Sequence, residues 1–304
     1  MTRWVIRAGV SGVVVAILLS IIPIDAVLHA LRRTSPWTWS ASVVVFFVGH
    51  YLNAWKLRLL LGPSPGLMRA CVRAQYAGLV ANLGLPGLAG GDLVRAAYLV
   101  PFTGLKRAAT AGIADRVIDT LTVLLLVAVA LPLAGTPPGI SSVVQRAGVW
   151  LAGGAVVVAL AAVVLLRSRQ FANLADHIGQ AWMSLVTRPC ALAGAVMISL
   201  VVQSAFVMTN VWLAQQVGVT TSLAAWFVAW PLSKLIAVLP ISLGGIGVRE
   251  AALVSLLAPY GAQREAVLAS GILWQAVLIV TGLAGLLVTQ LWPRASVTPT
   301  TRSV

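Results

Sequence analysis

Apolar residues run along this chain in long stretches, separated by short polar breaks and by breaks rich in glycine and proline. A helix needs about 20 apolar residues to cross a bilayer. The runs 8–28, 38–61, 108–134, 148–166 and 190–214 qualify, and a sixth covers 266–291. Each is expected to be a membrane-spanning helix. The first follows Arg3 and Arg7 and resembles a signal peptide in layout, but the run is long and the small-residue site after it is poor, so a span is expected. Two further segments, 67–101 and 222–258, are apolar but broken in the middle by Pro and Gly. They read as re-entrant helical hairpins, with one kinked span each as the alternative. Between spans, Phe171, Leu174, Ile178, Trp182 and Leu185 share one helical face, with Arg167, Arg169 and Arg188 nearby. This predicts an interfacial helix over 169–187. The expected organisation is one transmembrane domain, 1–292, followed by a polar tail, 293–304.

Composition narrows the class. Of 304 residues, 60% are hydrophobic and 9% charged, where a soluble domain is nearer half and a quarter. Mean hydropathy is +0.97. A water-soluble globular domain, a disordered chain and an ordinary nucleic-acid binder are excluded. The net charge of +14 then reads as positive-inside loops and contacts to anionic lipid. With the N-terminus inside, Arg3, Arg7, Lys56, Arg58, Arg69, Arg73, Lys106, Arg107, Arg167, Arg169, Arg188, Arg294 and Arg302 fall on the cytoplasmic side. Arg32, Arg33, Arg146 and Arg264 fall outside. The expectation is a multi-pass protein of the cell membrane with both termini cytoplasmic. Cys71 and Cys190 have no partners at metal-ligand spacing, so neither a disulfide nor a metal site is expected.

The two broken segments repeat each other. Residues 85–99 align without a gap on 239–253 at an offset of 154 and match at Leu, Pro, Gly, Gly, Val, Arg, Ala and Leu. Shared apolar composition rarely produces the Pro, the Gly pair and the Arg together. Three expected spans separate the copies, which places them on opposite sides of the membrane. The fold class is therefore an all-α polytopic membrane protein, with about six full spans and two re-entrant hairpins in an inverted repeat, as in secondary transporters.

Such broken helices favour a site near the midplane. Pro86 and Pro240 interrupt the helix, and Gly90, Gly91, Gly244, Gly245 and Gly247 permit close backbone approach. The next half-helix presents free N–H groups and a positive dipole end to an anion. Arg95 and Arg249 follow within a turn and suit bidentate capture of a phosphate. The alternative is that the glycines only allow close packing, as Gly87 and Gly91 would.

Ionisable groups in apolar segments are candidates by default. Asp115 and Asp119 share a helix face and repel unless a cation lies between them or one is protonated. Arg116 or Arg95 could supply that cation; a structural ion pair is the alternative role. Lys234 either snorkels outward or faces a cavity. Asp92 is expected to cap a half-helix, and Glu250 to neutralise Arg249 in the empty protein or carry a proton. Asn82, Gln203 and Asn210 are buried amides, and His50 reads as a packed neutral imidazole. No phosphate-binding loop, metalloprotease motif, nucleophile elbow or metal cluster occurs in the sequence, and neither an enzyme activity nor a cofactor is expected.

Four motifs carry a resemblance. They are Trp55-Lys-Leu-Arg-Leu-Leu60, the run Asn82-Leu-Gly-Leu-Pro-Gly-Leu-Ala-Gly-Gly-Asp-Leu-Val-Arg95, Asp115-Arg-Val-Ile-Asp119 and Pro240-Ile-Ser-Leu-Gly-Gly-Ile-Gly-Val-Arg-Glu250. With them, nearly the whole chain resembles the transmembrane region of lysylphosphatidylglycerol synthases and related stand-alone membrane proteins. The resemblance implies lipid translocation. In bifunctional members a separate cytosolic domain makes the aminoacyl lipid, and that domain is not found in these residues. Other relatives are associated with polyprenyl-linked sugars or hopanoid lipids. Asp115 stands where relatives often have Glu.

The leading expectation is a flippase for an anionic, phosphate-bearing lipid of phospholipid or polyprenyl-phosphate type. Asn82, Pro86, Gly90, Gly91, Asp92, Arg95, Pro240, Gly244, Gly245, Gly247, Arg249 and Glu250 would form the substrate site. Asp115, Arg116, Asp119 and Lys234 would gate or couple it. The alternatives are a transporter of a small soluble anion, an intramembrane enzyme and a non-transporting subunit of a lipid-modifying complex. Expected partners are membrane lipids, with a homo-oligomer or a separate lipid-modifying enzyme also possible, and no nucleic acid.

Overall fold

The computed structural model describes residues 32, 34–64, 66–84, 89–135, 183, 187–237 and 248–291. The expected spans 8–28 and 148–166, the tail and nearly all of the interfacial helix lie outside the described residues. So do Pro86, Pro240, Gly244, Gly245 and Gly247.

Among the described residues every element is helical. In chain order they are α1 (Pro36–Leu61), α2 (Leu67–Gly84), α3 (Ala89–Thr103), α4 (Leu105–Ala134), α5 (Pro189–Gln216), α6 (Leu223–Ile236), α7 (Val248–Leu257) and α8 (Arg264–Leu291). A short 3-10 turn, Ala258–Tyr260, follows α7. Four helices, α1, α4, α5 and α8, are long and apolar enough to cross a membrane. Their bounds follow local chemistry. Pro36 and Pro189 open α1 and α5, where a missing N–H costs nothing. Gly62 ends α1 with φ of 83°, a conformation that disfavours other residues. Ser222 caps α6 by accepting from the Ala225 N–H.

The broken segment 67–101 forms two helices that fold back on each other. The Gly91 N–H donates to Asn82 Oδ1 at 2.8 Å, and the Arg95 side chain lies against Gly78. Two antiparallel helices are required for both contacts. Gly91 is essential to the approach, because a Cβ there would overlap Asn82 Oδ1 and the Gly78 carbonyl. Gly91→Ala is expected to cost about 1–3 kcal/mol, read as a lower unfolding temperature in detergent. In the second broken segment, α6 and α7 likewise pack together.

Shifted by 154 residues, α1 to α4 fall on α5 to α8 in order. The main packing contacts follow the same exchange. The pairs α1·α2, α2·α3, α3·α4, α1·α4, α1·α8 and α2·α8 correspond to α5·α6, α6·α7, α7·α8, α5·α8, α4·α5 and α4·α6, and all are present. The helices α1 and α5 pack on each other and run antiparallel, with Phe46 on Phe206 toward one end and Leu59 on Gly194 toward the other.

Small and aromatic residues fill the core. Phe46, Phe206, Trp274 and Trp230 join α1, α5, α8 and α6 through edge and tilted ring contacts. Outward, Val44, Val48, Tyr51 and Trp55 form a stripe on α1, and Met197, Val201, Met208 and Trp212 one on α5. Apolar stripes of this length suit lipid rather than water.

Candidate functional site

Among the described residues, five cations and four carboxylates meet inside the bundle. Lys56 comes from α1, Asp92 and Arg95 from α3, Asp115, Arg116 and Asp119 from α4, Lys234 from α6, and Arg249 and Glu250 from α7. The hairpin and its mate bring the two repeat arginines to one cavity of about 180 Å³. Asn82, Arg95, Arg116, Asp119, Lys234 and Arg249 line it, along with His50, Gln75, Gln203, Phe46, Phe206, Trp230 and Trp274.

The cation between Asp115 and Asp119 is Lys56. Its side chain is 0% exposed, and its Nζ lies 2.9 Å from Asp115 Oδ1 and 2.5 Å from Asp119 Oδ1. This corrects the expectation that Lys56 is a charge at the cytoplasmic surface. An ammonium placed there offsets the repulsion of two carboxylates one helical turn apart. Arg95 grips the other oxygen of Asp115 at 2.8 Å. Asp119 also accepts from Ser199 Oγ at 2.6 Å, and Ser199 contacts Thr122 at 2.7 Å. The cluster thus ties α1, α3, α4 and α5 together.

Arg116 points elsewhere than between the two aspartates. It pairs with Asp92 Oδ2 through Nε at 2.7 Å and Nη2 at 2.6 Å. Asp92, expected as a cap, sits in the first turn of α3 and bridges Arg116 and Arg95. Gly90 lies in that same turn. In the other half, Arg249 Nη2 meets Glu250 Oε1 at 2.5 Å and donates to Gln275 Oε1 at 3.3 Å. The expected neutralisation of Arg249 by its neighbour is present.

Lys234 faces the cavity. Its Nζ donates to Gln203 Oε1 at 3.0 Å and lies 5.8 Å from the centre of the Trp230 ring. Among the described residues no carboxylate lies within ion-pair distance of it. Lys56, Arg95 and Arg116 balance Asp92, Asp115 and Asp119; Arg249 balances Glu250; Lys234 is left over. Counted over the described residues, the site carries one surplus positive charge, set among aromatic side chains where Coulomb attraction is stronger than in water.

Of the remaining amides, Gln203 lines the cavity, while Asn210 donates to the Phe206 carbonyl of its own helix at 2.9 Å. His50 is packed against Phe46 and Phe206 and contacts Gln75. Sequence reasoning missed Lys56, Ser199 and Gln75. A signal for Lys56 existed: a like-charged aspartate pair needs a cation, and Lys56 is embedded in an apolar run. Among the described residues no group of His, Cys, Asp or Glu fits a metal ion.

Fold and site together define a multi-pass membrane protein, helical throughout its described elements, with a cationic internal cavity. The chain belongs to the family of the lysylphosphatidylglycerol synthase TM region, whose model matches residues 4–285. Comparison with curated proteins and with solved structures finds no match.

Proposed function

We propose that this protein is a flippase that carries the head group of an anionic, phosphate-bearing lipid between leaflets, while the tails stay in the bilayer. The observation that carries the reading is the cavity where Arg95, Arg116, Lys234 and Arg249 converge, with one more cation than the carboxylates of the described residues neutralise. An anion completes that balance. Cavities for drug-sized ligands run to about 300–1,000 Å³, so a smaller one suits a head group and not a whole lipid. Membership of the family supports a lipid-related role.

The path is an inverted repeat of two re-entrant hairpins. Supporting this are the offset of 154, the exchange of packing contacts and the antiparallel pairing of α1 with α5. A twofold axis in the membrane plane relates such helices, and rocking one repeat against the other opens the cavity to each side in turn. In this reading Asp115 and Arg116 couple that movement to the first hairpin through Arg95 and Asp92, and Asp119 ties it to α1 and α5 through Lys56 and Ser199. Both termini face the cytoplasm of a cell-membrane protein, a placement supported by the excess of Lys and Arg there. The protein itself catalyses no covalent step in this reading.

The modest cavity volume also favours a second reading, transport of a small soluble anion. Mass spectrometry of gently purified protein separates the two. One anionic lipid class enriched on wild type, and lost from a folded Lys234→Gln/Arg249→Gln/Glu250→Gln variant, is the expected result. Equal bulk lipid on both proteins, with a soluble anion bound only to wild type, contradicts the lipid reading.

A further inference from the structure

A second cationic site lies at the end of the bundle expected to face the cytoplasm. There the C-terminus of α1 meets the N-termini of α4 and α5, three helices that pack on one another. Two arginines converge on Gly62, the glycine that ends α1. A Cβ at that position would lie 2.8 Å from Arg188 Nη1 and 2.9 Å from Arg107 Nη2. The two guanidinium nitrogens are therefore no more than about 6 Å apart, where like charges repel. Neither arginine lines the central cavity. Arg107 precedes Asp115 on α4 by about 12 Å of helix, so the pair stands apart from the buried cluster.

No carboxylate of the described residues pairs with either guanidinium. Arg188 Nη2 donates to the Leu59 carbonyl at 3.4 Å, so the negative end of α1 accounts for one of the two. Arg107 makes no hydrogen bond or ion pair among the described residues. The other two helix ends add to the positive excess. Arg107 sits in the first turn of α4, and Arg188 immediately precedes α5. Neither helix has a side-chain cap or an acidic residue in that turn. Both arginines are thus placed against a helix dipole, beside N–H groups that lack a side-chain acceptor. An anion relieves the repulsion and accepts from both guanidiniums.

The position of the pair points to the source of that anion. The exposed residues Val44, Val48, Tyr51 and Trp55 follow one another at helical spacing, and the same spacing continues to Leu59 and Gly62. The apolar stripe of α1 therefore ends at the two guanidiniums, with Trp55 in the last turns as an interfacial anchor. Leu105, 64% exposed, extends the apolar face onto α4. We propose that Arg107 and Arg188 hold the phosphate of an anionic phospholipid from the surrounding leaflet, its tails along the α1 stripe, at a site separate from the transport path. Only the phosphate meets polar partners there, so the site selects net negative charge and not one head-group class. Arg58, Arg69 and Lys106 at the same end oppose a choline group. The bound phosphate ties the ends of α1, α4 and α5 together.

The test is native mass spectrometry of the delipidated full chain titrated with phosphatidylglycerol or phosphatidylcholine. The background is Lys234→Gln/Arg249→Gln/Glu250→Gln, which removes binding charges from the cavity, so the result does not depend on the transport reading. This chain is expected to bind phosphatidylglycerol about 10–30-fold more tightly than phosphatidylcholine. Adding Arg107→Gln/Arg188→Gln is expected to abolish the preference. Adding Arg69→Gln/Lys106→Gln, which removes the same charge from the same end, is expected to keep it. Arg107→Gln alone leaves the Arg188 cap of α1 in place and is expected to weaken the preference about fivefold. Unfolding temperatures report the fold of each variant. Equal affinity for the two lipids overturns the inference. A preference kept in the folded Arg107→Gln variant, or lost equally from Arg69→Gln/Lys106→Gln, overturns the assignment to this pair. Displacement of phosphatidylglycerol by millimolar inorganic phosphate overturns the lipid source.

Discussion

Replacing Lys56 by Met is expected to cost about 3–5 kcal/mol of stability, the largest loss from any single substitution in the cluster. The physical reason is asymmetry. A buried ion pair is worth little over a well-packed apolar pair, but a buried carboxylate stripped of its cation is costly. Lys56→Met leaves Asp115 with Arg95 alone and Asp119 with only the Ser199 hydroxyl. Thermal unfolding and size-exclusion profiles in detergent read the effect. Adding Asp119→Asn, which removes the stranded charge, is expected to recover part of the loss. A Lys56→Met protein as stable as wild type would contradict the placement of Lys56 between the aspartates.

Lys234→Met is expected to do the opposite: stability holds or rises, while transport falls by about 10–100-fold. A hydrogen bond to a charged group contributes roughly 1.5–3 kcal/mol, which sets that range in binding. Lys234 is the one cation of the described site without a carboxylate, so its removal strands no opposite charge and relieves the cost of desolvating an ammonium. Residues kept for function at the expense of stability behave this way. Paired unfolding and lipid-flipping measurements on the same preparation decide it. Unchanged flipping would remove Lys234 from the substrate path. Large destabilisation would assign it a structural role instead.

Much of the architecture was legible because a bilayer demands length and apolarity of any helix that crosses it. The runs 38–61, 108–134, 190–214 and 266–291 appear as α1, α4, α5 and α8, with no end shifted by more than three residues; Pro36 starts α1 two residues early, and Gly62 ends it at Leu61 as expected. The Pro and Gly break in 67–101 correctly marks a place where helix direction changes. The gathering of Arg95, Arg249, Asn82 and the Asp115–Asp119 pair around one space was also readable, from the repeat and from the rarity of buried charge. Pairing within that space was not. Lys56 near the end of an apolar run looks like a snorkelling surface charge, and only the packing of α1 on α4 turns its Nζ inward. Arg116 is adjacent to Asp115 in sequence, but neighbours on a helix point about 100° apart, so it reaches Asp92 on another helix. Gln75 and His50 are a contact between α1 and α2 that no periodicity encodes.

The central claim is that this cavity moves a phosphate-bearing lipid head group across the bilayer. The direct measurement is purified protein in vesicles containing a fluorescent phosphatidylglycerol labelled on its acyl chain, with a membrane-impermeant quencher added outside. If the account holds, quenching in protein-containing vesicles proceeds past the outer leaflet's share toward completion, and Lys234→Met slows that second phase. Quenching that stops at the outer leaflet, as in protein-free vesicles, under every ion gradient applied would contradict it.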